Sequence, residues 1–290
     1  MSGKAGFDPG STGDSHGPAL VEGVTTALSW LTVVPVRGAS VFDRTTGRRA
    51  VAALPVAGLV PGAAAALIIG ACAWAAGPSG APGAVTPLVG ALAMLAQVAL
   101  TRGMHLDGVA DVADALGSYG DRDRAREILA DPATGPMGVG AIGLSLLLQT
   151  VGLAAIAGSG VPVWAAAAAA CAPAVLGRAA ATTACHRSLP PMREGGFGGL
   201  TAATQPAWAI TCWWAVLCVA TFPVAGAAGP AACAVACGAA VVLGRHAVHR
   251  FGGVNGDVLG AVIEAAAAAS AAVLGLGMGI GPALGAGIAG

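Results

Sequence analysis

The chain has 290 residues and a formal net charge of zero; 56% of its residues are hydrophobic and only 10% are charged, with a mean hydropathy of +0.77. With 46 glycines and only 5 phenylalanines, this composition excludes an ordinary soluble domain. The balanced charge gives no basis for a nucleic-acid partner.

Residues 1–19 are polar and glycine-rich, which predicts a disordered cytoplasmic tail, with residues 20–290 forming a single membrane-embedded catalytic domain. The next apolar run, Val24 to Val36, is short and interrupted by Thr25, Thr26, Ser29 and Thr32. It reads as a helix lying in the membrane interface, with a short eighth span as the alternative. Seven further apolar segments approach the ~20 residues needed to cross a bilayer: Val51–Ala76, Ala84–Leu100, Met137–Ala157, Val161–Ala184, Ala207–Val224, Ala228–Leu243 and Val258–Gly279. The predicted fold class is therefore all-α, a polytopic integral membrane bundle of about seven transmembrane helices.

If the chain enters at Val51 from the inside, its 14 basic residues fall in or beside the inner connections, with Arg178 in the last turns of a span. The outer connections 77–83 and 158–160 carry no charge. This asymmetry predicts a cytoplasmic N-terminus. Thirteen arginines against one lysine suggest GC-rich coding, and hence a bacterial plasma membrane. The abundant glycine and alanine predict close helix packing. The seven cysteines have no CxxC or Cys/His zinc spacing and read as small packing residues.

The chemistry gathers in four inner segments. In Thr101–Gly117, at about 100° per helical residue, Asp111 lies about 40° and Asp114 about 20° around the axis from Asp107. Three carboxylates on one narrow face repel one another unless a cation sits among them. Oxygen ligands without a nearby cysteine favour Mg²⁺ over Zn²⁺. In Asp121–Asp131, a charged helix leads to Asp131, beside Pro132 at the mouth of the next span. In the third segment, Arg178, His186, Arg187 and Arg193 precede Glu194-Gly-Gly-Phe-Gly-Gly199, a pattern able to receive phosphate through backbone N–H groups and guanidinium contacts. In the last, Gly252, Gly253 and Gly256 allow a tight turn, with Asn255 able to adopt positive φ. Asp257 and Glu264 repeat the spacing of Asp107 and Asp114 and would form a second carboxylate face. None of the acids beyond the N-terminal region sits in the middle of a span, which favours an enzyme at the cytoplasmic mouth over a translocator.

The strings His105-Leu-Asp-Gly-Val-Ala-Asp-Val-Ala-Asp114 and Phe251-Gly-Gly-Val-Asn-Gly-Asp-Val-Leu-Gly260 are specific in combination. With Leu31-Thr-Val-Val-Pro35, Pro55-Val-Ala-Gly58 and Arg126-Glu-Ile-Leu-Ala-Asp131, they carry a resemblance from about Ala27 to Glu264. The chain resembles the adenosylcobinamide-GDP ribazoletransferase family, also called cobalamin-5'-phosphate synthase. It departs from the family pattern in lacking a lysine before Asp131 and in having Asn255 where threonine is usual.

The resemblance implies a membrane transferase of vitamin B12 assembly. It would join adenosylcobinamide-GDP to α-ribazole or its 5'-phosphate, release GMP, and use Mg²⁺. It implies metal ligation by Asp107, Asp111, Asp114 and Asp257, with Asp131 or Glu264 completing the shell, and substrate contacts from Arg102, Arg126, Arg178, Arg193, Gly252, Gly253 and Asn255. His105 projects about 160° from Asp107 on a regular helix; a base, a second-layer contact and a substrate contact all stay open for it. A homo-oligomer or a complex with other corrinoid enzymes is a further expectation. Two rival readings fit the same residues. One is a CDP-alcohol-phosphotransferase-like membrane enzyme, although the Asp-Gly here comes first and no arginine follows Ala110 or Ala113. The other is a transporter using the acids as a cation site.

Overall fold

The computed structural model describes residues 16–77 and 83–288, with side chains described to Gly279. Residues 1–15, most of the expected tail, lie outside the described residues. The end of that tail is tied down instead of loose. The His16 ring nitrogens lie 3.0 and 3.1 Å from the Glu22 and Asp43 carboxylates, and the Gly17 N–H donates to Glu22 at 2.6 Å. Arg49 also donates to Glu22, at 3.1 Å.

Among the described residues there are thirteen helices and no strand. Helix α1 (Ala19–Leu31) has 13 residues and would be about 20 Å long, short of the ~30 Å hydrocarbon thickness. It packs on α2 (Arg44–Ala52) and α3 (Leu54–Ala57). Asp43 starts α2 by accepting from the Thr45 and Thr46 N–H groups, as an N-cap aspartate does. Helix α3 runs on into α4 (Leu59–Ala76), so that Leu54–Ala76 is one apolar stretch of 23 residues.

Helices α8 (Pro136–Ala157), α9 (Val163–Ala184), α11 (Ala207–Ala225), α12 (Ala228–Phe251) and α13 (Gly256–Ile288) also have the length and apolarity of spans, giving six. A further pair reaches that length and apolarity only when its two bent helices are taken together. Helix α5 (Thr86–Thr101) turns by 93° into α6 (Met104–Gly117). The turn is made by Arg102 and Gly103, both in the left-handed region with φ of 57° and 65°. The chain is a multi-pass membrane protein. Helix α12 continues eight residues beyond the sequence-predicted end of its span, because nothing from Gly244 to Phe251 interrupts a helix until Gly252 takes φ of 84°.

Helix α13 is the axis of the bundle. It contacts α6, α8, α9 and α12, and 78% of its spanning window is buried. Small residues allow this closeness. A side chain at Gly152 would meet the Ala271 backbone at 2.6 Å, and one at Gly177 the Ile263 carbonyl oxygen at 2.7 Å. Lipid gives no hydrophobic push between helices, so such contact is what holds them together. The seven cysteines are all free. Helices α5, α9 and α12 finish, and α8, α11 and α13 begin, at one end of the bundle, where the two short helices α7 (Arg122–Leu129) and α10 (Gly196–Thr201) also lie.

Candidate active site

Beyond the 93° bend, α6 leaves the direction of the spans and lies across the first turns of α8 and α13. At Gly108 the backbones almost touch: an added Cβ would stand 2.5 Å from the Asp257 carbonyl oxygen and 2.9 Å from its Cα. Overpacking of this kind costs about 1–3 kcal/mol. Gly108→Ala is therefore expected to lower the melting temperature of the detergent-solubilised protein, and an unchanged melt would show that α6 and α13 are not held this closely.

This crossing brings Asp257, in the first turn of α13, to the acidic face of α6. Asp107 is exposed and Asp111 is half-buried. Burial, and then the charges of Asp107, Asp257 and Asp114, push the Asp111 carboxyl up to about 6. Asn255 accepts from the Val258 N–H at 3.0 Å, which starts α13, and donates from Nδ2 to the Asp257 carboxylate at 2.6 Å. Its φ is not positive; the left-handed conformation at this turn belongs to Gly252. Asn255 thus orients a carboxylate.

Three expected metal ligands are placed differently. Asp114 uses both oxygens on backbone N–H groups, from Gly135 at 2.6 Å and Gly138 at 2.9 Å, and so holds the start of α8 where the helix dipole favours an anion. Asp131 is exposed after α7; its carboxylate accepts from the Ala133 N–H at 2.9 Å, and it is not among the charges acting on Asp111. Glu264 shares a face with Asp257, but seven residues are also about 10.5 Å of helix rise. It is buried two turns deeper, where it accepts from Gln149 Nε2 at 2.7 Å and lies 3.7 Å from His105 Nδ1.

Arg178 belongs to that same buried network. It donates to the Ala174 carbonyl oxygen at 3.2 Å, and its Nη2 lies 3.4 Å from His105 Nδ1. It is only 4% exposed and is a core cation, contrary to the expected substrate contact. No buried side-chain nitrogen or oxygen among the described residues lacks a partner.

Two cavities meet at Asp257, sharing Gly256 and Phe197. One, of about 530 Å³, is lined by Arg126, Arg193, the glycines 195, 196 and 198, and Asn255. Arg126 is fixed by donating from Nε to the Phe251 carbonyl oxygen at 2.7 Å. The other, of about 210 Å³, is largely apolar, with Trp30, Leu31, Met104 and Ile263 in its wall, and includes His105. Trp30 stacks edge-on against Phe197 at 5.1 Å between ring centroids.

Arg126, Arg193 and Asn255 thus converge as expected, whereas three other expected substrate contacts do not. Arg102 is exposed at the α5–α6 bend and reaches the Trp30 carbonyl oxygen at 3.3 Å. Gly252 leaves room for the Arg126 guanidinium, and Gly253 lets the chain pair against Pro191 and Met192. Phe197 lies within the glycine-rich segment 194–199, but its meeting with Trp30 and Met104 had no sequence signal, because that convergence depends on helices far apart in the chain.

Among the described residues no three His, Cys, Asp or Glu side chains already stand around a common metal position. Mg²⁺ needs no such cage, since it keeps several waters and takes one or two carboxylates together with substrate phosphate. The donor set of Asp107, Asp111 and Asp257, all hard oxygens whose mutual repulsion a divalent cation would relieve, fits that ion.

A family model described as cobalamin-5-phosphate synthase matches residues 23–275. A protein from Corynebacterium efficiens named adenosylcobinamide-GDP ribazoletransferase is 45% identical over 91% of this chain and 93% of its own length. Proteins of the same name from Corynebacterium glutamicum and Corynebacterium diphtheriae are 46% identical over 77% of this chain and 71% of the relative, and 40% identical over 92% and 94%, respectively. No solved structure matches.

Proposed function

The chain belongs to the cobalamin-5-phosphate synthase family, and from that premise we propose that it is an adenosylcobinamide-GDP ribazoletransferase. It joins adenosylcobinamide-GDP to α-ribazole or α-ribazole 5'-phosphate, releasing GMP and forming adenosylcobalamin or its 5'-phosphate. The observation that carries this reading is the meeting of an arginine- and glycine-lined cavity with an acidic helix crossing at Asp257. The phosphotransferase and transporter alternatives find no support in the family matches.

In the reaction a ribose hydroxyl attacks the phosphorus nearer the corrinoid. A new P–O bond forms, the bond to the GMP phosphate breaks, and the hydroxyl proton is lost. Such transfers depend on positioning and charge neutralisation more than on covalent help from protein. Arg126 and Arg193 face the diphosphate, and backbone N–H groups of the Gly195–Gly198 loop add donors. The apolar cavity beside His105 shelters the less polar part of a substrate and excludes water. Asp107, Asp111 and Asp257 would hold Mg²⁺, which when bound neutralises diphosphate charge and makes GMP a better leaving group. The basic residues gathered at this end support a cytoplasmic active site in a bacterial plasma membrane.

The test is GMP release from adenosylcobinamide-GDP by the purified protein, which must require both α-ribazole and Mg²⁺; release without an acceptor would indicate simple hydrolysis. Metal affinity should also depend on pH. A carboxyl raised to about 6 is ionised above that value, so Mg²⁺ binds without displacing a proton near neutrality. Below about pH 6 the affinity should fall by up to about tenfold per pH unit as Asp111 takes up its proton. Calorimetric titration with Mg²⁺ across this range checks the sign, and a flat profile would remove Asp111 from the ligand set.

A further inference from the structure

A second pair of adjoining cavities lies at the same end of the bundle, against α1, α2 and the start of α11. Arg48 and Arg187 line both. The larger, about 390 Å³, has an apolar wall that includes Leu20, Val56, Trp208 and Trp213. The smaller, about 300 Å³, is polar, with Arg44, Thr45 and Thr204 beside the two shared arginines. From this geometry we propose that the groove binds one anionic phospholipid, its phosphodiester between Arg48 and Arg187 and an acyl chain along the apolar wall.

The arrangement is held in place by a buried side chain. Gln205, only 1% exposed, donates from its side-chain Nε2 to the Arg48 carbonyl oxygen at 2.9 Å, and its backbone carbonyl oxygen accepts from the Arg187 backbone N–H at 3.0 Å. The two guanidinium-bearing segments are thus fixed relative to one another. Trp213 anchors the apolar side, donating from Nε1 to the Ala52 carbonyl oxygen at 2.8 Å.

The charge is available. Arg49 is taken by Glu22 and Arg44 by the Gly199 and Ala202 carbonyl oxygens. Among the described residues neither Arg48 nor Arg187 has a carboxylate within ion-pair distance. The apolar wall opens toward lipid, since only 11% of the α11 span is buried. Trp208, in the first turn of α11, is 71% exposed, at a position where tryptophan marks the membrane interface.

A soluble phosphate would leave the apolar half unused, and a zwitterionic lipid would bring its own cation to the two arginines. An anionic phospholipid matches both halves. Basic pockets between helices are a known physical basis of anionic lipid recognition. None of these lining residues belongs to the cavities at Asp257, so this proposal stands apart from the catalytic reading.

The test is native mass spectrometry of the full chain in mild detergent, offered equal phosphatidylglycerol and phosphatidylcholine. Two arginines predict a preference of at least about tenfold for phosphatidylglycerol. Arg48→Gln with Arg187→Gln should abolish it, and the paired change of both to lysine should keep it. In the unaltered protein, brominated phosphatidylglycerol should quench tryptophan fluorescence more than brominated phosphatidylcholine, a readout that needs no variant to fold. Equal retention and equal quenching by the two lipids, or an undiminished preference in a folded glutamine variant, would overturn the proposal. Displacement of the retained lipid by glycerol phosphate would overturn it too, reassigning the groove to a water-soluble phosphate ligand.

Discussion

Replacing Asp107, Asp111 or Asp257 singly with asparagine should lower GMP release by about a hundred- to a thousandfold, the usual loss when one group that stabilises transition-state charge is removed. Asparagine keeps the shape and one oxygen but removes the negative charge that holds a divalent cation, so packing should be unaffected. Folding should survive for a further reason: the burial of Asp111 and its like-charged neighbours work against its charged form, so removing the charge relieves repulsion. Turnover and the melting temperature of the same preparation together provide the check. Near-normal turnover in all three variants would remove the metal assignment, and loss of both turnover and fold would make the acids structural.

The second large effect lies in the core of the bundle, two turns in from the mouth. Glu264→Ala should destabilise the protein by about 3 kcal/mol, because the buried Gln149 amide loses its acceptor and the buried Arg178 loses the negative charge that faces it across His105. Glu264 and Arg178 are 6% and 4% exposed, and His105 stands between them, its Nδ1 3.7 Å from the Glu264 carboxylate and 3.4 Å from Arg178 Nη2, while Gln149 donates to Glu264. Charges in hydrocarbon survive only when paired or hydrogen-bonded. Glu264→Leu combined with Arg178→Met should therefore recover much of what Glu264→Leu alone loses. Thermal unfolding in detergent reads both, and a single variant within about 1 kcal/mol of the unaltered protein would show that the pair is not needed.

The spans were legible from hydropathy and length alone, since a bilayer imposes a strong constraint on helices. Their starts were found to within a few residues. The α5–α6 bend was not legible, because a non-glycine residue, Arg102, takes a left-handed φ of 57° beside Gly103. The acidic face of α6 was also legible, because three and four residues bring side chains to one side of a helix.

What periodicity alone could not supply was depth along the axis. Seven residues share a face yet lie two turns apart, and so Glu264 is buried in the core while Asp257 lies at the mouth. Partner choice was equally hidden. Nothing local to Asp114 announces that the Gly135 and Gly138 N–H groups will occupy it, nor does the sequence around Arg178 announce its buried partners. Charge and glycine context singled out Arg126, Arg193, Asn255 and the segment that carries Phe197, which the fold gathers around one cavity, whereas Trp30 required the fold.

The most direct measurement is Mn²⁺ binding, followed by electron paramagnetic resonance, to the purified protein in the presence of adenosylcobinamide-GDP. If carboxylates from α6 and α13 hold one cation together, Asp107→Asn and Asp257→Asn should each weaken binding by at least about tenfold, although they lie 150 residues apart in the sequence. Unaltered Mn²⁺ affinity in Asp257→Asn would contradict a shared site at the crossing of the two helices.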